Sequence, residues 1–186
     1  MDIKQRELKG FFEISSTSYV DSRGFLARTY DQKEFDLKKI DRHWVQESLS
    51  HTDRRSTVRG LHVQFSPYTE TKLISIYKGK MMWVVVDVRK DSSTFGQWDS
   101  VILSDEKHNS LFVESGFAHG CLSLSDNCDL IIKSDRAFIE GKGVGIKWND
   151  PVIGIDWGLH DKLPIISDRD SNYLSFNDFV HNHGYI

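Results

Sequence analysis

The stretch Val58-Arg59-Gly60-Leu61-His62-Val63-Gln64, followed by Thr71-Lys72-Leu73, sets a guanidinium, an imidazole and an ammonium among residues that otherwise read as strands of a buried sheet. A core strand gains nothing from a charged side chain unless a partner lies close, because an unpaired buried charge is costly. The stretch therefore reads as the floor of a pocket. His62 titrates near neutrality and is a natural general base. A lone strand histidine is more often structural, and it is Lys72 and Asp87 on neighbouring strands that bring the chemical reading level with that one. His119 lies in Glu114-Ser115-Gly116-Phe117-Ala118-His119-Gly120, between small residues that permit close approach of a ligand. On residue grounds alone, a turn followed by the start of a strand explains that segment more simply.

Arg23, Arg28, Arg59 and the pair Arg54-Arg55 are candidates for holding an anion, since a guanidinium fork matches phosphate oxygens. Arg23, inside Asp21-Ser22-Arg23-Gly24-Phe25, and Arg59, inside a strand, are the two that a merely solvated surface explains least. A metal site in a small β-barrel wants converging histidines, often as H-x-H on one strand. Two residues after His62 stands Gln64, and two after His119 stands Cys121. His181-Asn182-His183 has the spacing but lies in a polar tail, so we expect no metal and no cofactor. No Gly-rich phosphate loop, Ser/His/Asp order or C-x-x-C pair is present.

The elements that must position these groups are strands. Phe11–Val20, Gly24–Tyr30, Trp44–Ser50, Val58–Gln64, Leu73–Tyr77, Met81–Val88, Trp98–Leu103, Phe117–Leu124 and Leu130–Lys133 are short runs rich in β-branched and aromatic residues, separated by turn residues. Only Asp31–Ile40 has helical spacing, with Phe35, Leu37 and Ile40 as its apolar points. Ser171–Ile186 is polar and reads as irregular. Many strands with almost no helix predict an all-β sandwich or barrel. In Met81–Arg89, Met81, Trp83, Val85 and Asp87 share one face and Met82, Val84, Val86 and Val88 the other. Both faces are apolar, so this strand should be covered on both sides. Asp87 would then point inward and need Lys72, Arg59 or a histidine as partner. His62 and Gln64 share a face, while Arg59 has the other parity. A bulge at Gly60 would bring Arg59 round to the His62 side.

Composition sets the outer bounds. A chain of 186 residues with 39% hydrophobic and 27% charged residues suits one globular domain, 1–186, with a real core. A net charge of -3 offers no broad basic surface for nucleic acid. The charged start, Met1–Gly10, lacks the apolar centre of a signal peptide, and Met81–Val86 is too short to cross a bilayer. Cys121 and Cys128 suit free thiols in a reducing cytoplasm.

Taken in order, several motifs resemble the dTDP-4-dehydrorhamnose 3,5-epimerase family. They include Asp21-Ser22-Arg23-Gly24, Arg59-Gly60-Leu61-His62-Val63-Gln64, Lys72-Leu73 and Val84-Val85-Val86-Asp87-Val88-Arg89. Further along come Ser92-Ser93-Thr94-Phe95-Gly96-Gln97-Trp98, Gly116-Phe117-Ala118-His119-Gly120, Trp148-Asn149-Asp150-Pro151, Ile155-Asp156-Trp157 and Ser167-Asp168-Arg169-Asp170. The resemblance runs from about residue 10 to 171. It implies a cupin-type jelly-roll barrel, a homodimer, and metal-independent inversion of carbons beside the ketone of a nucleotide-diphosphate 4-keto-6-deoxy sugar. It also assigns roles: His62 as base, Asp170 as its orienting carboxylate and Lys72 beside the enolate oxygen. Arg23 and Arg59 fall to the diphosphate, His119 to the sugar pocket, Gln46 and Arg28 near the base and ribose, and Phe138 to a stacking position. We add Asp87 to the substrate-binding set.

The chain also departs from the family. A tyrosine that reprotonates the opposite face of the sugar aligns with Ile132, which has no proton to give. Arg28 stands where the family commonly has a glutamate, and Gln46-Glu47-Ser48 where it commonly has Gln-x-Asn, so the nucleotide is dTDP or another, such as CDP. Single-centre epimerisation in deoxysugar and polysaccharide biosynthesis is the expectation. The alternatives are a sugar-nucleotide binding module with lost or weak turnover, or 3,4-ketoisomerisation of the same substrates. A metal-dependent cupin oxygenase is disfavoured by the missing H-x-H.

Overall fold

In a computed structural model that describes residues 1–160, 162–184 and 186, the chain folds almost wholly from antiparallel strands. In order they are β1 (Asp2–Gln5), β2 (Phe11–Ser15), β3 (Ser18–Asp21), β4 (Gly24–Ala27), helix α1 (Gln32–Leu37), β5 (Gln46–Thr52), β6 (Val58–Gln64) and β7 (Lys72–Lys78). There follow β8 (Lys80–Asp87), β9 (Trp98–Ser104), β10 (Asn109–Val113), β11 (Phe117–Ser123), β12 (Cys128–Ser134), β13 (Gly143–Gly145), α2 (Asp168–Ser171) and α3 (Phe176–His183). A six-stranded sheet runs β1-β2-β10-β7-β12-β5, and a five-stranded sheet runs β13-β6-β11-β8-β9. The hairpin β3-β4 belongs to neither. This is the expected jelly roll.

Alternation along β8 explains how the two sheets are sealed. Met81, Trp83 and Val85 join Ile74, Ile76, Leu111 and Leu130 in the core between the sheets. Val84, Val86 and Val88 pack on the outer side, under Ile146, Trp157, Phe176 and Phe179. Both faces of β8 are thus covered, as its sequence requires. A third cluster, Ile14, Leu73 and Phe112, lies beneath Phe35 and Ile40 on the outside of the six-stranded sheet.

Other expectations are corrected. The helix expected over Asp31–Ile40 ends at Leu37, because Lys39 turns the chain at φ 59° so that Ile40 can tuck its N–H onto the Phe35 carbonyl. Leu37 points to solvent. The run Phe11–Val20 is two strands, β2 ending in the six-stranded sheet and β3 leaving to form the hairpin. The tail is not irregular. Ser175 caps α3 by accepting the Asp178 N–H at 3.1 Å, and Phe176 and Phe179 are buried on one stripe. That i, i+3 spacing was overshadowed by the polar residues between.

Gly60 supplies the predicted bulge. His119 of β11 stands opposite His62 and Cys121 opposite Arg59, so two steps on β11 match three on β6. Val58, Leu61 and Val63 therefore face the outer cluster while Arg59 and His62 both turn inward. Glycine is required here. Its φ is 109°, and a Cβ would lie 2.7 Å from the Gly120 Cα and the His119 carbonyl oxygen.

Candidate active site

The inward turn after Gly60 sets His62 in the wall of a cavity of about 550 Å³, lined also by Gln64, Glu70, Lys72, Phe138 and Tyr173. Behind the ring stands Asp170, delivered by α2, whose first turn is capped by Ser167. One carboxylate oxygen of Asp170 lies 3.0 Å from His62 Nε2, and the other accepts the Gly60 N–H at 2.9 Å. Burial alone would raise this carboxyl. The His62 ring and the Gly60 N–H outweigh it and hold the group down at about 2, so it is ionised at neutral pH. A carboxylate at Nε2 selects the tautomer with its proton there and leaves the Nδ1 lone pair free to accept another. Arg169 Nη2 lies 3.3 Å from the same Nε2. Since Nε2 cannot donate to Asp170 and accept from Arg169 at once, the closer carboxylate takes the bond and Arg169 adds positive charge beside the pair.

Lys72 comes from the facing sheet, at the head of β7, whose inward stripe continues through Ile74 and Ile76. Its ammonium meets Glu70 Oε1 at 2.8 Å, with side-chain exposures of 15% and 9% respectively. His119 lies across the strand from His62, stacked on Trp83 with ring centroids 5.6 Å apart. Burial, then the charges of Lys72 and His62, pushes His119 well below the ordinary histidine range. It is therefore neutral at pH 7, and it lies behind the cavity rather than among the residues that line it. Tyr173 meets the His62 ring edge-on at 5.6 Å, in space that a side chain at Gly145 would fill.

Together these groups form an imidazole–carboxylate base on one wall and an ammonium on the other, which is what removal of a proton beside a ketone requires. Phe138 sits on the cavity rim, its N–H held by Gln46 Oε1 at 2.9 Å, so Gln46 positions Phe138 rather than lining the cavity itself. Arg59 faces inward but its guanidinium crosses to β5, donating to the His51 carbonyl at 2.9 Å and Thr52 Oγ1 at 3.2 Å. Arg23 and Arg28 do not reach the cavity. Arg23 pairs with Asp21 on the free hairpin, with 87% of its side chain exposed, and Arg28 pairs with Asp31 at 3.3 Å. Asp87 also lies outside the cavity. Fully buried, it bonds Arg89, Ser92 and Thr94, and not Lys72, Arg59 or a histidine. The strand ends at Asp87, and the chain turns back to supply its partners from the next seven residues. Ile132 packs against the inner core, opposite Ile74 and Ser48. Glu70, Arg169 and Tyr173 were missed in sequence. Glu70 precedes Lys72 by two, the spacing that shares a face in extended chain, and Tyr173 follows Asp170 by three, one helical turn.

Among the described residues, no three His, Cys, Asp or Glu side chains converge as a metal site. No helix is long and apolar enough to cross a membrane.

A jelly-roll barrel carrying this dyad and lysine defines the class. The chain belongs to the dTDP-4-dehydrorhamnose 3,5-epimerase family, whose model matches residues 5–178. It is 39% identical over 168 residues to a dTDP-4-dehydrorhamnose 3,5-epimerase of Methanothermobacter thermautotrophicus, covering 89% of each chain. Its fold superposes with a TM-score of 0.88 on a dTDP-6-deoxy-D-glucose-3,5-epimerase of Legionella pneumophila in complex with dTDP-4-keto-L-rhamnose, at 33% identity over 95% of this chain and 93% of that one. A 3'-monoepimerase of Streptomyces bikiniensis, in complex with dTDP-quinovose, superposes at 0.90 with 25% identity, over 97% and 90%.

Proposed function

We propose that this protein removes a proton beside the ketone of a nucleotide-diphosphate 4-keto-6-deoxy sugar and inverts a single centre, C3 or C5. Family membership makes it an isomerase of the epimerase class, acting on a nucleotide sugar. The observation that carries the finer reading is the His62–Asp170 pair sharing one cavity with Lys72. Proton loss moves charge onto the ketone oxygen, where a fixed ammonium is worth most in the transition state. Nδ1 of His62 takes the proton while Asp170 keeps the tautomer and stabilises the imidazolium that forms. No cofactor is invoked. Phe138 supplies a stacking contact to the ligand, Gln46 sets its angle, and His119 backs the cavity.

The diphosphate is assigned to Arg59, released from the His51 carbonyl, with Arg23 and Arg28. These last two lie off their own cavity, so such a role asks for a second copy of the chain. The exposed Tyr19, Val20, Phe25 and Leu26 on the same hairpin support a homodimer. Buried free thiols at Cys121 and Cys128 suit work in the cytoplasm, in the supply of deoxysugars for polysaccharides.

Incubation with dTDP- and CDP-linked 4-keto-6-deoxy sugars in deuterated water tests the proposal. One labelled and inverted carbon is expected. Label at both C3 and C5 with double inversion refutes the single-centre reading. Ile132 favours a second reading, a binding module without turnover, which predicts tight binding and no label.

A further inference from the structure

Inversion needs two proton carriers, one on each side of the carbon. His62 serves one side. Tyr173, edge-on to His62, stands on that same wall, and Arg169 has no proton to give at working pH. From the other wall, Ile132 offers only carbon. What that wall does offer is Glu70, a nearly enclosed carboxylate paired with Lys72 at 2.8 Å, in the same cavity as His62; the other carboxylate lining that cavity, Glu140, is exposed to solvent.

We propose that Glu70 is the second proton carrier, the catalytic acid that protonates the sugar on the face opposite His62. The inference rests on the reading above. As Lys72 turns to the substrate's ketone oxygen, Glu70 loses its counter-ion. The proposed cycle begins with Glu70 carrying a proton drawn from solvent. His62 then removes the proton from the reacting carbon, and the C–H pair becomes the C=C of an enolate held by Lys72. The enolate collapses, its carbon taking the proton of the Glu70 carboxyl as the ketone re-forms. Glu70 is left ionised to recapture Lys72, and His62 gives its proton to water. One acid serving one position accounts for a single inverted centre.

Glu70→Gln keeps an oxygen for Lys72 but cannot carry the proton. In deuterated water the variant should still incorporate label through His62, now with retained configuration, while inversion falls about 10²–10⁴-fold, the span of general acid catalysis. Inversion within about threefold of the parent overturns the proposal, and so does an equal loss of label and inversion, since either leaves Glu70 a mere support for Lys72. Should Glu70→Gln not fold, Glu70→Asp decides: the carboxyl is one methylene short, and inversion must fall well below exchange. A parent protein that exchanges no hydrogen brings down the reading above and this inference with it. A parent that exchanges, beside a Glu70→Gln that inverts normally, brings down this inference alone.

Discussion

Two buried carboxylates in this molecule have opposite fates. Asp87 and Asp170 are both almost wholly enclosed, and both are held below the ordinary carboxylate range although burial pushes the other way. Asp87 is saturated by Arg89, Ser92 and Thr94, all within seven residues along the chain. Its network is closed, and its ion pair with Arg89 ties the end of β8 to the following turn. Asp170 is reached from 108 residues away by His62, and that ring keeps one nitrogen uncommitted towards a cavity. A buried charge becomes chemically useful where its network stops one bond short of complete.

The comparison breaks most visibly at the open network. His62→Asn should lower deuterium exchange about 10²–10⁴-fold per folded molecule, roughly 3–5 kcal/mol of barrier. A variant that exchanges normally would remove the base from the proposal. At the closed network the sign of the experiment reverses. Asp87→Asn should lower unfolding free energy by about 2–3 kcal/mol, since Arg89 loses a charged partner but keeps some access to water. Activity per folded molecule should stay near that of the parent, and a large loss of turnover would put Asp87 back in the site. Urea titration of the two proteins, with turnover normalised to the folded fraction, separates these outcomes.

The smallest effect sharpens the contrast by pH. Asp170 is held down to about 2 in the folded chain, against the ordinary aspartate value of 3.8. Between those values the unfolded chain binds more protons, so stability rises with pH there. The contribution is full above about pH 4 and is lost as pH falls through about 2, on the order of 2 kcal/mol in all. The stability difference between parent and Asp170→Asn should therefore shrink across that acid window. A difference that holds constant down to pH 2 would deny the carboxylate that contribution.

Sequence made the central strands plain because periodicity and covering agree there. The two-faced alternation of β8 and the phase shift at Gly60 both follow from residue parity and the special reach of glycine. β1, β10 and β13 were not legible. β10, Asn109–Val113, reads polar then apolar without alternation because all five residues are buried, its asparagine and serine being satisfied by Glu13, Ile102 and Ser75. Parity also told which face Asp87 takes without telling that Arg89 folds back onto it. The arginines failed for a related reason. Arg23 and Arg28 have carboxylates two and three residues away, and a local ion pair looks, in sequence, like an unpaired cation. Lys72 was visible as an odd charge on an apolar stripe, whereas Glu70 sat in a polar connection where a glutamate excites no notice.

The Gly60 amide does two jobs at once, rotating the strand by one position and gripping the carboxylate behind the imidazole. Aim of the base is thus written into main chain, while the far wall is made of replaceable side chains. Mutational drift can repaint that wall without swinging the imidazole off target. Under the proposed mechanism a change at Glu70 there alters the handedness of the product first, while a change at Lys72 also costs the ability to loosen a hydrogen.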